Sequence, residues 1–371
     1  MEKKKTGNLS FHQILTRFPH YIIIEVLRGR GCCQSPSVTF QPKSAERSYI
    51  MKYSIGVDLG GTNIAVGIVD EHYSIIKKGS VPTLAQRGPE PIVRDMAELC
   101  KKLLSECGVT PQETAGAGIA CPGTVNPKTG VVEYANNIKF SDFPLQKLFS
   151  EYMEISKDKV AIGNDANLAA LGEAVAGAAR GTSSSVMITL GTGVGGGVIL
   201  DGKVLTGCAY GGAELGHMVI EYGGRPCSCG RRGCFEAYSS ATALIKMTKE
   251  AFEAESDTLM HEMCGGDISR VGGKTAFAAM KKGDKTAAAV VDTYISYLAC
   301  GIANLINIFQ PEVLTIGGGI CGEGDYLILP LKEKLSHEIY SKDGVLKTDI
   351  RTAALGNDAG IIGAAAFAKT N

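Results

Sequence analysis

Residues 53–70 combine two short apolar runs with a glycine turn between them. Ser54–Asp58 has the alternating character of a β-strand, and the apolar run Ile64–Val69, which ends at Asp70, is typical of a second strand. The turn between them reads Leu-Gly-Gly-Thr-Asn, and glycine permits a tight reversal of the chain. The pattern therefore predicts a β-hairpin with its glycine turn at residues 59–63.

The same pattern recurs in the second half of the chain. A strand-like run, Ser185–Leu190, leads into the glycine-rich turn Gly191–Gly197, and Val198–Leu200 then returns to Asp201. The two units align without a gap, so that Asp70 matches Asp201. Such a repeat is expected if two related lobes each present one hairpin to a shared cleft.

Both turns have a composition that suits phosphate. Glycine lets backbone N–H groups approach phosphate oxygens, and the hydroxyls of Thr62 and Thr192 add donors. A third turn, Gly317-Gly318-Gly319, follows a strand-like run and suits a flat adenine or ribose. Taken alone, the first two are explained equally well as ordinary hairpin turns. Neither the P-loop motif nor the dinucleotide-binding motif accounts for all three, so we expect a nucleotide held between two lobes.

An acidic residue follows a predicted strand that begins at Val160. Asn164 and Asp165 stand where this strand gives way to an alanine-rich helix predicted at Leu168–Ala178, and either residue would serve as a helix cap. Polar residues that suit a polyol favour a second role for Asp165. They are Asn136, Asn137, Glu214 and Glu236, with Cys121-Pro-Gly123 as a tight loop. A carboxylate among amides can accept a hydroxyl proton as that oxygen attacks phosphorus.

A cluster of soft ligands lies between residues 211 and 236. Cys227, Cys229 and Cys234 follow His217 closely enough to converge on one ion. Three thiolates and one imidazole form a closed tetrahedral set, which zinc prefers and which leaves no position for a catalytic water. We therefore predict a structural zinc site that fixes a loop carrying Glu214 and Glu236. The alternative is three free thiols in a turn, since the spacing differs from the common pairs of cysteines two residues apart.

Composition limits the classes of partner. The chain has 371 residues, of which 44% are hydrophobic, and its 38 basic residues balance 38 acidic ones. This length favours two lobes, and the charge balance provides no net field to attract nucleic acid or an anionic membrane. No uninterrupted apolar run approaches the roughly 20 residues that span a bilayer. The 12 cysteines are scattered along the chain without a secretory leader, so we predict a cytoplasmic protein.

Residues 1–50 differ from the rest of the chain. They contain a lysine run, a short apolar patch and a Ser/Pro/Gln-rich stretch without a usable period. We predict a disordered extension or a misassigned start, with Met51 as the initiator. A DNA-binding headpiece is the competing interpretation, although no helix-turn-helix pattern is evident.

Four segments together resemble the ROK family of repressors, open reading frames and sugar kinases. They are Asp58-Leu-Gly-Gly-Thr62, Cys121-Pro-Gly123, Glu-Leu-Gly-His217 and the three cysteines at 227, 229 and 234. The resemblance covers Tyr53 to about Lys369 and is strongest to the bacterial glucokinases of the family. It implies an α/β, duplicated ribonuclease-H-like fold of the actin and hexokinase type, with a small lobe at 51–165 and a large lobe at 166–371. It also implies an interdomain cleft that closes on sugar and Mg-ATP, usually in a homodimer.

The resemblance also implies roles for individual residues. Asp165 would be the general base for the sugar 6-hydroxyl, and Asp58 would orient Mg²⁺ near the first turn, which is formed by Gly60, Gly61, Thr62 and Asn63. The hexose would be held by Asn137, Asn164, Asp165, Glu214, His217 and Glu236. His217 would use one ring nitrogen for zinc and the other for sugar. Thr192 and Gly193 would contact the distal phosphates of ATP, and Gly317, Gly318 and Gly319 would contact the adenosine.

Two alternatives stay open at this point. One is a kinase of the same family for another hexose, such as N-acetylmannosamine, N-acetylglucosamine, allose or fructose, because few hydrogen bonds separate epimers. The other is a sugar-sensing transcriptional regulator that keeps the pocket without catalysis. The sequence departs from the family at the amino-terminal extension and at Cys121, where many relatives carry a small or apolar residue.

Overall fold

The computed structural model describes residues 53–370, apart from residues 343, 345 and 346. The predictions for residues 1–50, and for Met51 as the initiator, lie outside this part of the chain. The strands are β1 (Ser54–Leu59), β2 (Asn63–Val69), β3 (Ile75–Pro82), β4 (Ala117–Cys121), β5 (Thr124–Asn126), β6 (Val131–Ala135), β7 (Phe140–Phe143), β8 (Val160–Asn164), β9 (Ser185–Leu190), β10 (Val194–Leu200), β11 (Lys203–Val204), β12 (Val313–Gly317) and β13 (Asp349–Thr352). The helices are α1 (Pro89–Glu106), α2 (Leu145–Met153), α3 (Asp165–Val175), α4 (Glu236–Ser239), α5 (Ala241–Ala254), α6 (Leu259–Cys264), α7 (Thr275–Lys281), α8 (Lys285–Phe309), α9 (Asp325–Glu338) and α10 (Ala359–Thr370).

The described strands form two five-stranded sheets of identical topology and one smaller sheet. The strand order is β3-β2-β1-β4-β8 in the first sheet and β11-β10-β9-β12-β13 in the second. In each large sheet, three strands pair antiparallel and two more join in parallel. Strands β5, β6 and β7 form a separate antiparallel sheet. The repeated strand order agrees with the duplication predicted from the two hairpins.

Both predicted hairpins are present, but their registers differ by one residue. In the first hairpin Leu59 pairs with Ile64, which leaves residues 60–63 in the turn. In the second hairpin Leu190 pairs with Val194, which leaves only residues 191–193 in the turn. The gapless sequence alignment therefore matches the strands but not the residues of the two turns.

Helices α3 and α10 cross between the two sheets. Helix α3 follows β8 of the first sheet and packs on β10 of the second, where a Cβ added at Gly197 would lie 2.7 Å from the Cβ of Ala170. Helix α10 follows β13 of the second sheet and packs on the first, so closely that a Cβ at Gly56 would collide with the carbonyl oxygen of Ile361. Glycine in these strands is thus required by the approach of helix backbone. The predicted lobe limits of 51–165 and 166–371 stay a prediction, and α10 lies on the first sheet.

Each large sheet has its own apolar core. The first core contains the buried faces of β1, β2 and α1, and the second is organised around α8. Among the described residues, α8 is the one helix that is long and apolar enough to cross a membrane. Its buried positions pack in the second core, including Tyr294, Leu298 and Ile302, so its apolar character is explained by protein contacts.

Candidate active site

Two carboxylates meet at the edge of the first sheet where three parallel strands end. The register pairs Asp58 of β1 with Ala120 of β4, and Cys121 of β4 with Asn164 of β8. Asp165 follows directly as the first residue of α3. Because neighbouring parallel strands end at the same edge of a sheet, Asp58 and Asp165 both lie at the carboxyl ends of these strands.

Burial raises the pKa values of both carboxyl groups. The pKa of Asp58 rises from an ordinary 3.8 to about 6, first because the group is buried and then because the charge of Asp165 opposes ionisation. Burial also raises the pKa of Asp165, although the N–H of Ala166, 2.8 Å from its Oδ1, opposes that rise. Two buried carboxylates that are both ionised repel each other. A divalent cation bound between them, or a proton accepted by one of them, would reduce this repulsion.

Asn164 is the cap of helix α3. Its Oδ1 accepts the N–H of Asn167 at 3.1 Å, and its Nδ2 donates to the carbonyl of Gly123 at 3.1 Å. The helix consequently begins at Asp165, three residues before the predicted start at Leu168, because the cap satisfies the first turn there. Asn164 also fixes the loop after Cys121. Asn164, and not Asp165, is therefore the residue that caps the helix.

The first glycine turn lies beside Asn137. A Cβ at Gly61 would lie 3.4 Å from the Cβ of Asn137, while Gly61, Thr62 and Asn63 are exposed at the tip of the hairpin. Thr83, a buried residue that the sequence analysis did not identify, holds this turn through two hydrogen bonds. Its Oγ1 donates to the carbonyl of Gly60 at 2.6 Å, and its N–H donates to the carbonyl of Thr62 at 2.8 Å. Thr83 is distant in sequence and belongs to no motif, so no local signal marks it.

The second glycine turn is held by the segment that follows Cys234. The Oε2 atom of Glu236 accepts the N–H of Val194 at 3.1 Å, and a Cβ at Gly193 would collide with that oxygen. The N–H of Ala241 donates to the carbonyl of Gly191, and Thr242 Oγ1 donates to the carbonyl of Thr192, both at 2.8 Å. Thr242 was also missed by sequence reasoning, since its contact spans 50 residues.

The third glycine turn and the start of α3 both lie close to the second turn. Gly318 has φ of 96°, and a Cβ there would collide with the carbonyl of Leu190, the last residue of β9. On the other side, Gly195 of β10 faces α3, where a Cβ would lie 3.6 Å from the Cβ of Ala166. The structure therefore brings the second turn, the third turn and the start of α3 together.

The predicted soft ligands form one compact cluster. The ligand atoms of His217, Cys227, Cys229 and Cys234 all lie within 4.8 Å of one another. The Sγ atoms of Cys229 and Cys234 are 3.7 Å apart, and Nδ1 of His217 is 3.7 Å from Sγ of Cys227. A tetrahedral zinc site with bonds of about 2.3 Å would separate its sulfur ligands by about 3.7 Å. The donor set and its spacing therefore fit a zinc ion.

The loop around this cluster places the predicted sugar ligands. His217 ends a short helical turn, Leu215–His217, in which its N–H donates to the carbonyl of Glu214 at 3.0 Å, and the side chain of Glu214 is exposed. Glu236 bridges the cluster and the second turn, because its Oε1 accepts from Ser228 Oγ at 3.1 Å and lies 3.6 Å from Sγ of Cys227. The ligand loop and the second turn thus form a single connected unit.

Comparisons with known proteins match almost the whole described chain. A model of the ROK family matches residues 54–371. The glucokinase of Thermotoga maritima is 39% identical over 315 residues, which cover 85% of this chain and 96% of the relative.

Two solved structures give the same result for the fold. A ROK family glucokinase from Streptomyces griseus, in complex with glucose and AMPPNP, has a TM-score of 0.71 and 31% identity, covering 86% of this chain and all of that one, 100%. The ROK hexokinase from Thermus thermophilus has a TM-score of 0.70 and 33% identity, covering 85% and 97% of the two chains. These matches confirm the predicted duplicated two-lobed fold.

Proposed function

This chain belongs to the ROK family, and from that premise we propose that it is an ATP-dependent glucokinase that phosphorylates the 6-hydroxyl of glucose. The similarity to glucokinases over nearly the full described length supports the activity and a hexose substrate. The observation that carries the mechanism is the meeting of Asp58 and Asp165 at one sheet edge, next to two glycine turns. The homodimer and the cytoplasmic location stay predictions.

We assign the proton transfer to Asp165. Its carboxylate accepts the proton of the sugar 6-hydroxyl while that oxygen attacks the terminal phosphorus of ATP, the bond to the bridging oxygen breaks, and ADP leaves. A raised pKa improves a carboxylate as a base at neutral pH, because basicity rises with pKa. Asn164 supports this role by fixing the start of α3 and hence the position of Asp165.

Asp58 is the residue that would hold Mg²⁺ in this site. The ion would neutralise charge on the phosphates of ATP during transfer. Asp58 is separated from the first turn only by Leu59, so its carboxylate and the turn residues 60–63 can act on the same phosphate groups. The second turn, with Thr192 and Gly193, would bind the distal phosphates, and residues 317–319 would take the adenosine.

The sugar pocket would be built from Asn137, Asn164, Glu214, His217 and Glu236. His217 uses Nδ1 toward the cysteine cluster, which leaves its Nε2 for a sugar hydroxyl. Zinc in the cluster would therefore fix the orientation of a ring that also contacts substrate. Glu236 would join the sugar to the second turn through its bond to the N–H of Val194.

Release of ADP by the purified protein tests the function. The assay uses Mg-ATP with glucose, mannose, fructose, allose, N-acetylglucosamine and N-acetylmannosamine, and with no sugar. We expect turnover with glucose at the highest kcat/KM of the panel. A higher kcat/KM for another sugar would show that this sugar is the preferred substrate and would leave the proposed mechanism unchanged. Absence of turnover with every sugar, in folded protein, would contradict the kinase and favour the non-catalytic regulator.

A further inference from the structure

Glu173 is a fully buried carboxylate near the end of α3, for which the proposed mechanism has no use. Within the part of the chain that the structure describes, its side chain accepts only backbone N–H groups. Oε1 accepts from Leu355 at 2.8 Å and from Ala354 at 3.0 Å, and Oε2 accepts from Ala178 at 2.7 Å and from Ala354 at 3.1 Å. Hydrogen bonds to a charged acceptor are stronger than neutral ones, and burial increases the cost of losing them. Glu173 therefore joins the end of α3 to residues 354 and 355, far along the chain.

Residues 353–358, here called the hinge loop, connect two parts of the proposed site. At its start, the N–H of Ala353 donates to the carbonyl of Ile316 at 2.9 Å, directly before the third glycine turn. At its end, the loop enters α10, whose second residue is Gly360. A Cβ at Gly360 would lie 2.6 Å from Oδ2 of Asp58. The hinge loop thus runs from the proposed adenosine turn to the proposed Mg²⁺ carboxylate.

Helix α3 carries the proposed base at its first residue and Glu173 near its last turn. It also touches α10 directly, because a Cβ at Gly172 would collide with the carbonyl of Ala359 and one at Gly363 with the carbonyl of Leu168. These contacts leave little room for the two helices to shift independently. Through its bonds to the hinge loop, Glu173 therefore connects the helix that begins at Asp165 with the segment that runs from the third turn to the contact with Asp58.

We propose that Glu173 is a positioning residue, which holds the hinge loop so that α10 keeps Asp58 in register with the base Asp165. The proposal rests on the proposed kinase function, because it assigns Glu173 to the alignment of two groups of that reaction. Misplacement of a reacting group by about 1 Å can lower a rate by about 100-fold. Glu173 itself contacts neither sugar nor nucleotide in this account.

The change Glu173→Gln tests the proposal with little change of volume. The amide places an NH₂ donor against backbone donors, so at least one bond to residues 178, 354 or 355 is lost. We expect kcat to fall about 10- to 100-fold and the Mg²⁺ concentration for half-maximal rate to rise several-fold, as for groups that orient metal ligands. We expect the KM for glucose to stay within about threefold, since no hinge-loop residue is assigned to the sugar.

Glu312→Gln is the matched control. Glu312 accepts the N–H groups of Ser183 at 2.8 Å and Ser184 at 3.1 Å, which lie at the opposite ends of the second-sheet strands from the glycine turns. Its loss should lower thermal stability and leave kcat and the Mg²⁺ requirement unchanged. If Glu173→Gln likewise loses only stability, Glu173 is a structural residue and the proposal is wrong.

Amide hydrogen exchange of the wild-type protein keeps the proposal testable if the variant does not fold. Ala354 and Leu355 should exchange slowly, at a rate close to that of the sheet cores, with and without glucose and a non-hydrolysable ATP analogue. Exchange as fast as that of the exposed loop residue Ser256 would overturn it. Absence of wild-type turnover would defeat the proposed function instead, and the exchange result would still report on the hinge loop.

Discussion

The two glycine turns are similar in sequence but differ in what surrounds them. Strands β1 and β2 have the same lengths as β9 and β10, yet the first turn contains four residues and the second contains three. In the gapless alignment Asp58 corresponds to Thr189, so the acidic residue is present in one hairpin only. The repeat therefore preserves the hairpin and not its chemistry.

The supports of the two turns differ as much as their residues. The first turn is held by Thr83, which directly follows strand β3 of the same sheet. The second turn is held by Glu236, Ala241 and Thr242, which lie within eight residues after Cys234, the last cysteine of the ligand cluster. We infer that the first turn carries the chemistry with Asp58, whereas the position of the second depends on the ligand loop.

Among the changes that test the comparison of the two hairpins, the largest effect is expected from Asp58→Asn, which removes the feature that the second hairpin lacks. Loss of the Mg²⁺ carboxylate should lower kcat by about 10²- to 10³-fold, comparable to the loss of an electrostatic group in other active sites. The variant should also be more stable at pH 7 without Mg²⁺, because ionising a group with a pKa of about 6 rather than 3.8 opposes folding by about 3 kcal/mol. Turnover and urea unfolding measure the two effects.

Thr189→Ser is the control at the equivalent position of the second hairpin. It should change kcat by less than about threefold, since a hydroxyl is retained. Equal losses from Asp58→Asn and Thr189→Ser would show that the two hairpins share their chemistry, contrary to the comparison.

Disruption of the ligand cluster should act on the second turn. Cys229→Ser should raise the KM values for both glucose and ATP by about 10- to 100-fold, because the loop positions His217 and Glu236. Metal analysis of the purified protein checks occupancy at the same time. Cys208→Ser, which changes an exposed thiol outside the cluster, should leave both KM values unchanged. A change in the KM for glucose alone would show that the ligand loop does not control the position of the second turn.

The pH dependence should follow the two buried carboxyl groups of the first sheet. Below about pH 6 the rate at limiting Mg²⁺ should fall about tenfold for each pH unit, as Asp58 becomes protonated. Protonation of Asp165, whose pKa is also raised by burial, should add to this loss. Folding stability should change in the opposite direction. Since the folded-state pKa of Asp58 lies above 3.8, its contribution is fully present below pH 3.8 and is lost as the pH rises through about 6. A rate that is constant down to pH 5 would contradict the assignment.

The smallest effects are expected from the hydroxyls that support the turns. Thr83→Val removes a buried bond to Gly60 and should raise the KM for ATP about fivefold, corresponding to about 1 kcal/mol. Thr242→Val removes an exposed bond to Thr192, where water can substitute, and should raise it about twofold. Steady-state kinetics measure both. A larger increase in the KM for ATP from Thr242→Val than from Thr83→Val would show that the second turn depends more on its hydroxyl than on the ligand loop.

Sequence patterns predicted the local parts of this molecule well. The two hairpins, the ligand cluster and Asp165 after its strand depend on neighbouring residues, whose periodicity and chemistry are visible along the chain. Two supports of the turns, Thr83 and Thr242, were missed because they act across long sequence separations. The bonds of Glu173 to the hinge loop were missed for the same reason. The one-residue difference in register was missed because a gapless alignment compares residues and not backbone pairing. Long-range backbone contacts, such as that between Gly360 and Asp58, leave no local pattern.

Asp165→Asn tests whether Asp165 is the general base, provided that glucose binding and turnover are measured on the same protein. Calorimetry gives the affinity for glucose, and ADP release with Mg-ATP gives the rate. We expect glucose affinity within about threefold of wild type and a loss of about 10²- to 10⁴-fold in kcat, as for the removal of a general base. Turnover within tenfold of wild type, with glucose bound normally, would show that another group accepts the proton.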